Sequence, residues 1–356
     1  MKADSVATVT LSRLLSAALW GDTACDFGHL GRDEWPAVFD LAVRQTVAGV
    51  CFEGLSAVPD TLMPDMGMLA RWGANAAMIE RRNREMNSAL ASVCSRLNAA
   101  GIIPVVLKGQ TVAQYYPEPL MRECGDIDLY FPRTGDMSRC VELLSESCGN
   151  VELMPDGSYL TRCNGEIVEI HPSMFDMQPR RVRHLIDGLG SDCFEPFAIA
   201  GSQSVSAMMP VPSVNILMLN LHILRHALCF GIGLRQICDL AVAYSKIQGM
   251  PEEISALQRL YKDAGLTRWN NLLHSFMCDY LGMTADFVPG SFRHIDSRPL
   301  ASIVFGGGNF GLHTRKGSKL SDTFNVVLRN NLRLLPYTPR HSASTLWQLI
   351  TRSLNR

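Results

Sequence analysis

The stretch Gly125-Asp126-Ile127-Asp128-Leu129-Tyr130-Phe131 sets two carboxylates one residue apart inside an otherwise apolar run. Such alternation has the period of a β-strand, in which residues two apart share a face and stand about 6.5–7 Å apart along the chain. Ile127 and Leu129 then face a core, while Asp126 and Asp128 share the other face. A lone strand cannot bury an apolar face, so the chain must supply sheet neighbours, and few segments qualify. "IIPVVLKG" (102–109) is short, β-branched and closed by glycine, as a buried strand is. "SYLTRC" (158–163) and "EIVEIH" (166–171) flank Asn164-Gly165, a pair that favours a two-residue hairpin turn.

Most of the remaining chain carries helical spacing. Helices are expected over 12–20, over 33–55 with Asp33 as N-cap, and over 69–99 with Gly101 marking the stop. "QTVAQYY" (110–116) allows one or two turns before Pro117 and Pro119 interrupt it. Further helices are expected over 134–149, 213–230, 234–248, 252–264 and 269–281, with two weaker segments at the end and a glycine-rich connection, "SIVFGGGNFG" (302–311). The expected fold class is α+β: a small mixed-sheet core flanked by helical regions. The divisions are 1–100 (N-terminal helical), 101–178 (α/β core) and 179–356 (C-terminal helical with a basic tail).

At 47% hydrophobic and 19% charged residues the chain is globular, and a net charge of −1 gives no general attraction to nucleic acid. The charge is uneven: residues 314–356 hold eight Lys/Arg and one acid, a solvated face or a docking surface for a protein partner. Eleven cysteines without a C-x-x-C pair argue against a disulfide framework and a structural zinc site, which suits a reducing cytoplasmic setting. No signal-peptide layout stands at the N-terminus. The longest apolar segment is interrupted by Asn220, His222, Arg225 and His226, so a buried helix is expected rather than a membrane span.

Paired carboxylates on one strand face repel each other unless a cation or donor lies between them. Mg²⁺ suits such a pair, with phosphate oxygens and water completing its shell. Glu169 in "EIVEIH" shares a face with Ile167 and His171 and offers a third carboxylate, enough for a two-ion site of phosphoryl or nucleotidyl transfer. A D-x-D pair alone also serves as turn chemistry or a solvated edge. The strand-Lys-Gly turn upstream and the acid-bearing strand downstream favour the metal site. His222 and His226 are spaced as two ligands on one helix face, but no Glu follows His222 as H-E-x-x-H requires. They are expected to line a core or cleft, where Arg225 and Arg235 would meet phosphate or acceptor better by charge. Asp239, four residues after Arg235, is expected to pair with it along the helix. "FGGGNFG" lacks the Gly-Lys-Ser/Thr ending of a phosphate-binding loop.

Lys108-Gly109, Tyr116-Pro117, Arg122, Gly125-Asp126-x-Asp128-Leu129 and Glu169-x-His171 together resemble the bacterial family of uncharacterised nucleotidyltransferases, within the DNA polymerase β-like superfamily. "LHILRHALCFGIGLRQICDLA" (221–241) resembles the same family's His-rich helix and Arg-x-x-x-Asp motif. The resemblance implies a mixed-sheet nucleotidyltransferase core, an NTP donor such as ATP, and Mg²⁺, with two ions on Asp126, Asp128 and Glu169. Gly109, Gln110 and Gly125 would border the nucleotide, and Lys108 and Arg122 would either neutralise phosphate or be ordinary strand-end charges. Gln110 stands where the superfamily usually has Ser. The expected activity is transfer of a nucleoside monophosphate to an unidentified acceptor, a protein side chain or small molecule before long nucleic acid. An inactive nucleotide-binding or partner-docking module, or a metal-dependent phosphohydrolase, is the alternative.

Overall fold

The computed structural model of the protein describes residues 5–354, apart from 23–25, 29, 176–181, 183–184, 186–188, 203–204 and 308–319. Helix α1 (Val6–Trp20) starts where the Ser5 hydroxyl accepts the Thr8 N–H and stops at Gly21, which takes the left-handed conformation. The single helix expected over 33–55 is two helices, α2 (Trp35–Arg44) and α3 (Ala48–Gly54). The chain breaks at Thr46, a non-glycine residue with φ +53°. Asp33 is not the N-cap; it lies in a 3₁₀ turn, and the carboxylate of Glu34 accepts the Gly31 N–H at 2.7 Å instead. Asp65 caps the long α4 (Met66–Ala99) through the Met68 N–H.

The sheet follows. Strand β1 (Val105–Leu107) turns into a short α5 (Gly109–Ala113), and β2 (Ile127–Tyr130) leads to α6 (Asp136–Cys148). A small β3 (Glu152–Leu153) precedes the hairpin of β4 (Tyr159–Cys163) and β5 (Glu166–His171). At its turn Asn164 and Gly165 both have positive φ, 53° and 86°, as a two-residue turn of type I′ demands. Strands β6 (Phe194–Phe197) and β7 (Ala207–Pro210), in a stretch expected to be helical, complete a mixed seven-stranded sheet of order β3-β4-β5-β2-β1-β7-β6. Strand β2 runs parallel to β5 and antiparallel to β1.

The chain then returns to helices: α7 (Pro212–Cys229), α8 (Leu234–Lys246), α9 (Pro251–Ala264), α10 (Thr267–Leu281), α11 (Arg298–Gly307), α12 (Leu320–Leu334) and α13 (Pro339–Leu354). Ser302–Gly307 is thus helical rather than a glycine-rich connection; residues 308–311 lie outside the described residues. No helix among the described residues is long and apolar enough to cross a membrane.

Two cores divide the sheet's faces. Ile127, Leu129, Val168 and Ile170 pack with the C-terminal half of α4 and with α6, alongside Val106. Val105 and Leu107 point the other way, into the larger core built by the N-terminal and C-terminal helices. Because Leu107 is paired with Asp128 and Asp128 with Glu169, the acids of β2 and β5 emerge on the face covered by α7 and α8. The cysteine reading needs one correction: Cys148 and Cys163 form a disulfide. The end of α6 comes back beside the end of β4, which brings the two Cα atoms to 5.0 Å, within bonding range. Among the described residues Cys51, Cys94, Cys124, Cys140, Cys193, Cys238 and Cys278 are free thiols.

Candidate functional site

Lys108 ends β1 with φ 49° and ψ −145°, and Gly109 follows at φ 38°. This kink turns the chain sharply into α5, where the Lys108 carbonyl accepts both the N–H and the hydroxyl of Thr111 at 2.8 and 2.7 Å. The Lys108 ammonium lies 3.4 Å from Asp128 Oδ1. On the other side of the buried Asp128, His171 Nε2 lies 2.6 Å from the same oxygen and 3.8 Å from Glu169 Oε2. The Ser158 hydroxyl stands 3.0 Å from Glu169 Oε1 and 2.8 Å from Asp156 Oδ1.

Charge sorts these carboxyls. The negative charge of Asp128, aided by burial, pushes Asp126 up to about 6. Burial alone would raise Asp128, but Lys108 and His171 outweigh it and hold the carboxyl well below its usual range. Burial would lower His171, yet its hydrogen bond and charge interaction with Asp128 raise it. Asp128 is therefore the first of the two to ionise, and its charge makes Asp126 the harder of the pair to deprotonate.

A cavity of about 220 Å³ opens over these groups. Its sheet side carries Lys108, Gly109, Gly125, Asp126, Asp128, Glu169 and His171. Its helical side carries His222, Arg225 and His226 from α7, with Arg235 from α8. The two histidine rings are 4.3 Å apart, and both line the cavity. Gln110 does not line the cavity; its side chain is buried and neither amide atom has a hydrogen-bond partner among the described residues. Gly125 is exposed, and its carbonyl lies 3.5 Å from Arg82 Nη2.

Asp239 does not pair with Arg235 along α8. Its two oxygens take Nε and Nη2 of Arg122 at 3.0 and 2.5 Å, and the Tyr116 hydroxyl adds a third bond at 2.8 Å. A forked guanidinium–carboxylate bond between separate elements outcompetes a helical neighbour. Arg235 instead donates Nη1 to the Glu123 carbonyl at 2.9 Å. Asp156, Leu219, Gln236 and Asp239 also line the cavity, and sequence spacing gave no sign of it. Asp156 precedes Gly157-Ser158, an ordinary turn signature.

Asp128, Glu169 and His171 each offer one ligand atom within 4.8 Å of the other two. Two oxygens and an imidazole nitrogen at that spacing fit a divalent cation. Asp126 stands outside this trio but on the same cavity wall. The donor set thus overlaps the expected trio of acids and adds His171.

Comparison with curated proteins and with solved structures finds no match. One family does match, over residues 31–276, a span running from just before α2 through the sheet and both cavity walls into α10. By that match the chain belongs to the uncharacterised nucleotidyltransferase family.

Proposed function

We propose that the protein transfers a nucleoside monophosphate from an NTP to an acceptor, a protein side chain or small molecule, with Mg²⁺ as the metal. The observation that carries this reading is the parallel register of β2 and β5. It seats Asp128 beside Glu169, with Asp126 two residues upstream, in one cavity that also has a cationic wall. Asp126, Asp128 and Glu169 would hold the cations, with His171 orienting the Asp128 carboxylate from its 2.6 Å contact. Bound there, divalent cations supply polarisation of the α-phosphate and neutralisation of the departing pyrophosphate.

The protein's own groups do the rest. Lys108 places positive charge at the cavity floor, and the absence of a side chain at Gly109 lets donor oxygens approach the backbone. Glu169 accepts the acceptor's proton at Oε2, since Oε1 faces Ser158. Arg122 holds α8 against the segment before β2 through Asp239. Gln110, buried away from the cavity, leaves donor contact at this turn to Lys108 and Gly109. An NTP donor would suit a cytoplasmic setting.

Incubation with labelled NTPs and Mg²⁺ tests the proposal. The expected result is label on an acceptor with pyrophosphate released, and a loss of more than about 100-fold in Asp126→Ala and Asp128→Ala. Binding without pyrophosphate release would make the protein a nucleotide-binding module. Release of phosphate or nucleotide with no adduct would make it a phosphohydrolase. Full activity in both variants would sink the assignment.

A further inference from the structure

Arg235 is unusual among the charges of the cavity. Arg122 is neutralised by the two oxygens of Asp239, and Lys108 faces Asp128. Arg235 makes no ion pair among the described residues. Nη1 donates to the Glu123 carbonyl, and Nε is buried without a hydrogen-bond partner among the described residues. The guanidinium rests against Gly125, where a Cβ would stand 3.9 and 4.0 Å from Nη1 and Nη2. It therefore lies beside the residue that precedes Asp126.

A guanidinium remains charged in proteins, and leaving that charge in a recess without a counter-ion is costly. Burial and the like charge of Arg122 lower the Arg235 pKa, and the nearby carboxylates of Asp239 and Glu123 offset this only in part, since the net shift stays downward. A bound anion removes the cost. The ligand-facing fork of an arginine matches two oxygens of a phosphoryl group. Arg225 adds a second cation to the same helical wall.

We infer that Arg235 binds a phosphate group of the ligand, so that the α7–α8 wall holds substrate anion while the β2–β5 wall holds cation. The inference rests on the cavity being the transfer site and names which side takes phosphate. That phosphate comes from the donor's triphosphate tail or from an acceptor that is itself phosphorylated.

Calorimetric titration with inorganic pyrophosphate, with Mg²⁺ and with EDTA, compares the unaltered protein with Arg235→Gln and Arg235→Lys. A donor-tail site predicts pyrophosphate affinity about 10- to 100-fold weaker in Arg235→Gln, a smaller loss in Arg235→Lys, and adenosine binding unchanged. An acceptor-phosphate site predicts instead that inorganic phosphate, titrated in the presence of saturating ATP, loses affinity by that factor. Unchanged affinity for both anions overturns the inference. If Arg235→Gln does not fold, the unaltered protein decides: phenylglyoxal modification of Arg235, read by peptide mass spectrometry, is slowed by pyrophosphate or phosphate. Equal modification with and without both anions is again a refutation. Protection without any nucleotide transfer would remove the transfer reading and leave the phosphate site. Transfer with unaltered anion affinity in Arg235→Gln would do the reverse.

Discussion

Lys108 does two jobs that substitution can separate. Its backbone sits at φ 49° and ψ −145°, a conformation that costs a side-chain-bearing residue about 1–3 kcal/mol. Its ammonium, 3.4 Å from Asp128, helps keep that carboxyl ionised. Lys108→Gly removes the charge and the strain together, whereas Lys108→Ala removes only the charge. Both variants are expected to lose transfer activity about equally. Lys108→Gly should be more stable than Lys108→Ala by about 1 kcal/mol, after allowing for glycine's extra freedom in the unfolded chain. Denaturant midpoints of the two variants measure the difference, and a lower midpoint in Lys108→Gly than in Lys108→Ala would mean that the kink carries no strain. A strained cationic residue at the end of β1 is what a site at this turn requires, because the kink redirects the chain while the side chain stays beside Asp128.

Among the helices, two glycines make opposite demands. Gly54 ends α3 where a Cβ would meet the Leu14 carbonyl oxygen of α1 at 2.2 Å, so the two helices approach backbone to backbone. Gly306 lies in α11, and no described residue comes within 4 Å of a Cβ placed there. Gly54→Ala should destabilise the protein by about 1–3 kcal/mol. Gly306→Ala should stabilise it by about 0.5–1 kcal/mol. Thermal melts read both, and a neutral Gly54→Ala would show that α1 and α3 can part without cost. Elements with a local signature were readable from the chain alone. The Asn164-Gly165 hairpin, the β2 alternation and the i, i+4 histidines each follow from spacing within a few residues. What escaped depends on distant partners. Strands β6 and β7 contain Pro196 and Pro210, which argue against strand, yet they pair with each other and β7 joins β1. The break between α2 and α3 interrupts an unbroken apolar pattern. There Gln45 donates to the Val304 carbonyl and accepts the Leu234 N–H, partners 259 and 189 residues away. Asp239 follows the same rule, since its partner Arg122 lies 117 residues upstream.

At the scale of the whole molecule, the cavity exists only while the C-terminal helices stay docked on the sheet. Arg122–Asp239 and the Gln45 bridges hold that dock, and Trp20 ties α1 to the end of α10 through the Leu281 carbonyl at 2.6 Å. The helices are themselves joined by a buried polar chain, in which the Tyr244 hydroxyl of α8 meets Tyr261 of α9 at 2.7 Å and His274 Nε2 of α10 at 2.9 Å. Burial lowers the His274 pKa from an ordinary 6.5 to about 3. The unfolded chain therefore takes up the proton first, and the stability that neutral His274 permits is present above pH 6.5 and falls as pH drops toward 3. Between pH 7 and pH 5 this single group should remove about 2 kcal/mol. Urea denaturation of the unaltered protein and of His274→Gln at both pH values isolates the effect, because the variant lacks the titrating ring and the other ionisable groups are common to both. The variant should begin less stable at pH 7, having lost the ring's packing, and should lose about 2 kcal/mol less on acidification. Parallel losses in the two proteins would show that the histidine is already solvated in the folded state, and that the α8–α10 junction is open rather than the sealed support on which the α8 wall of the cavity depends.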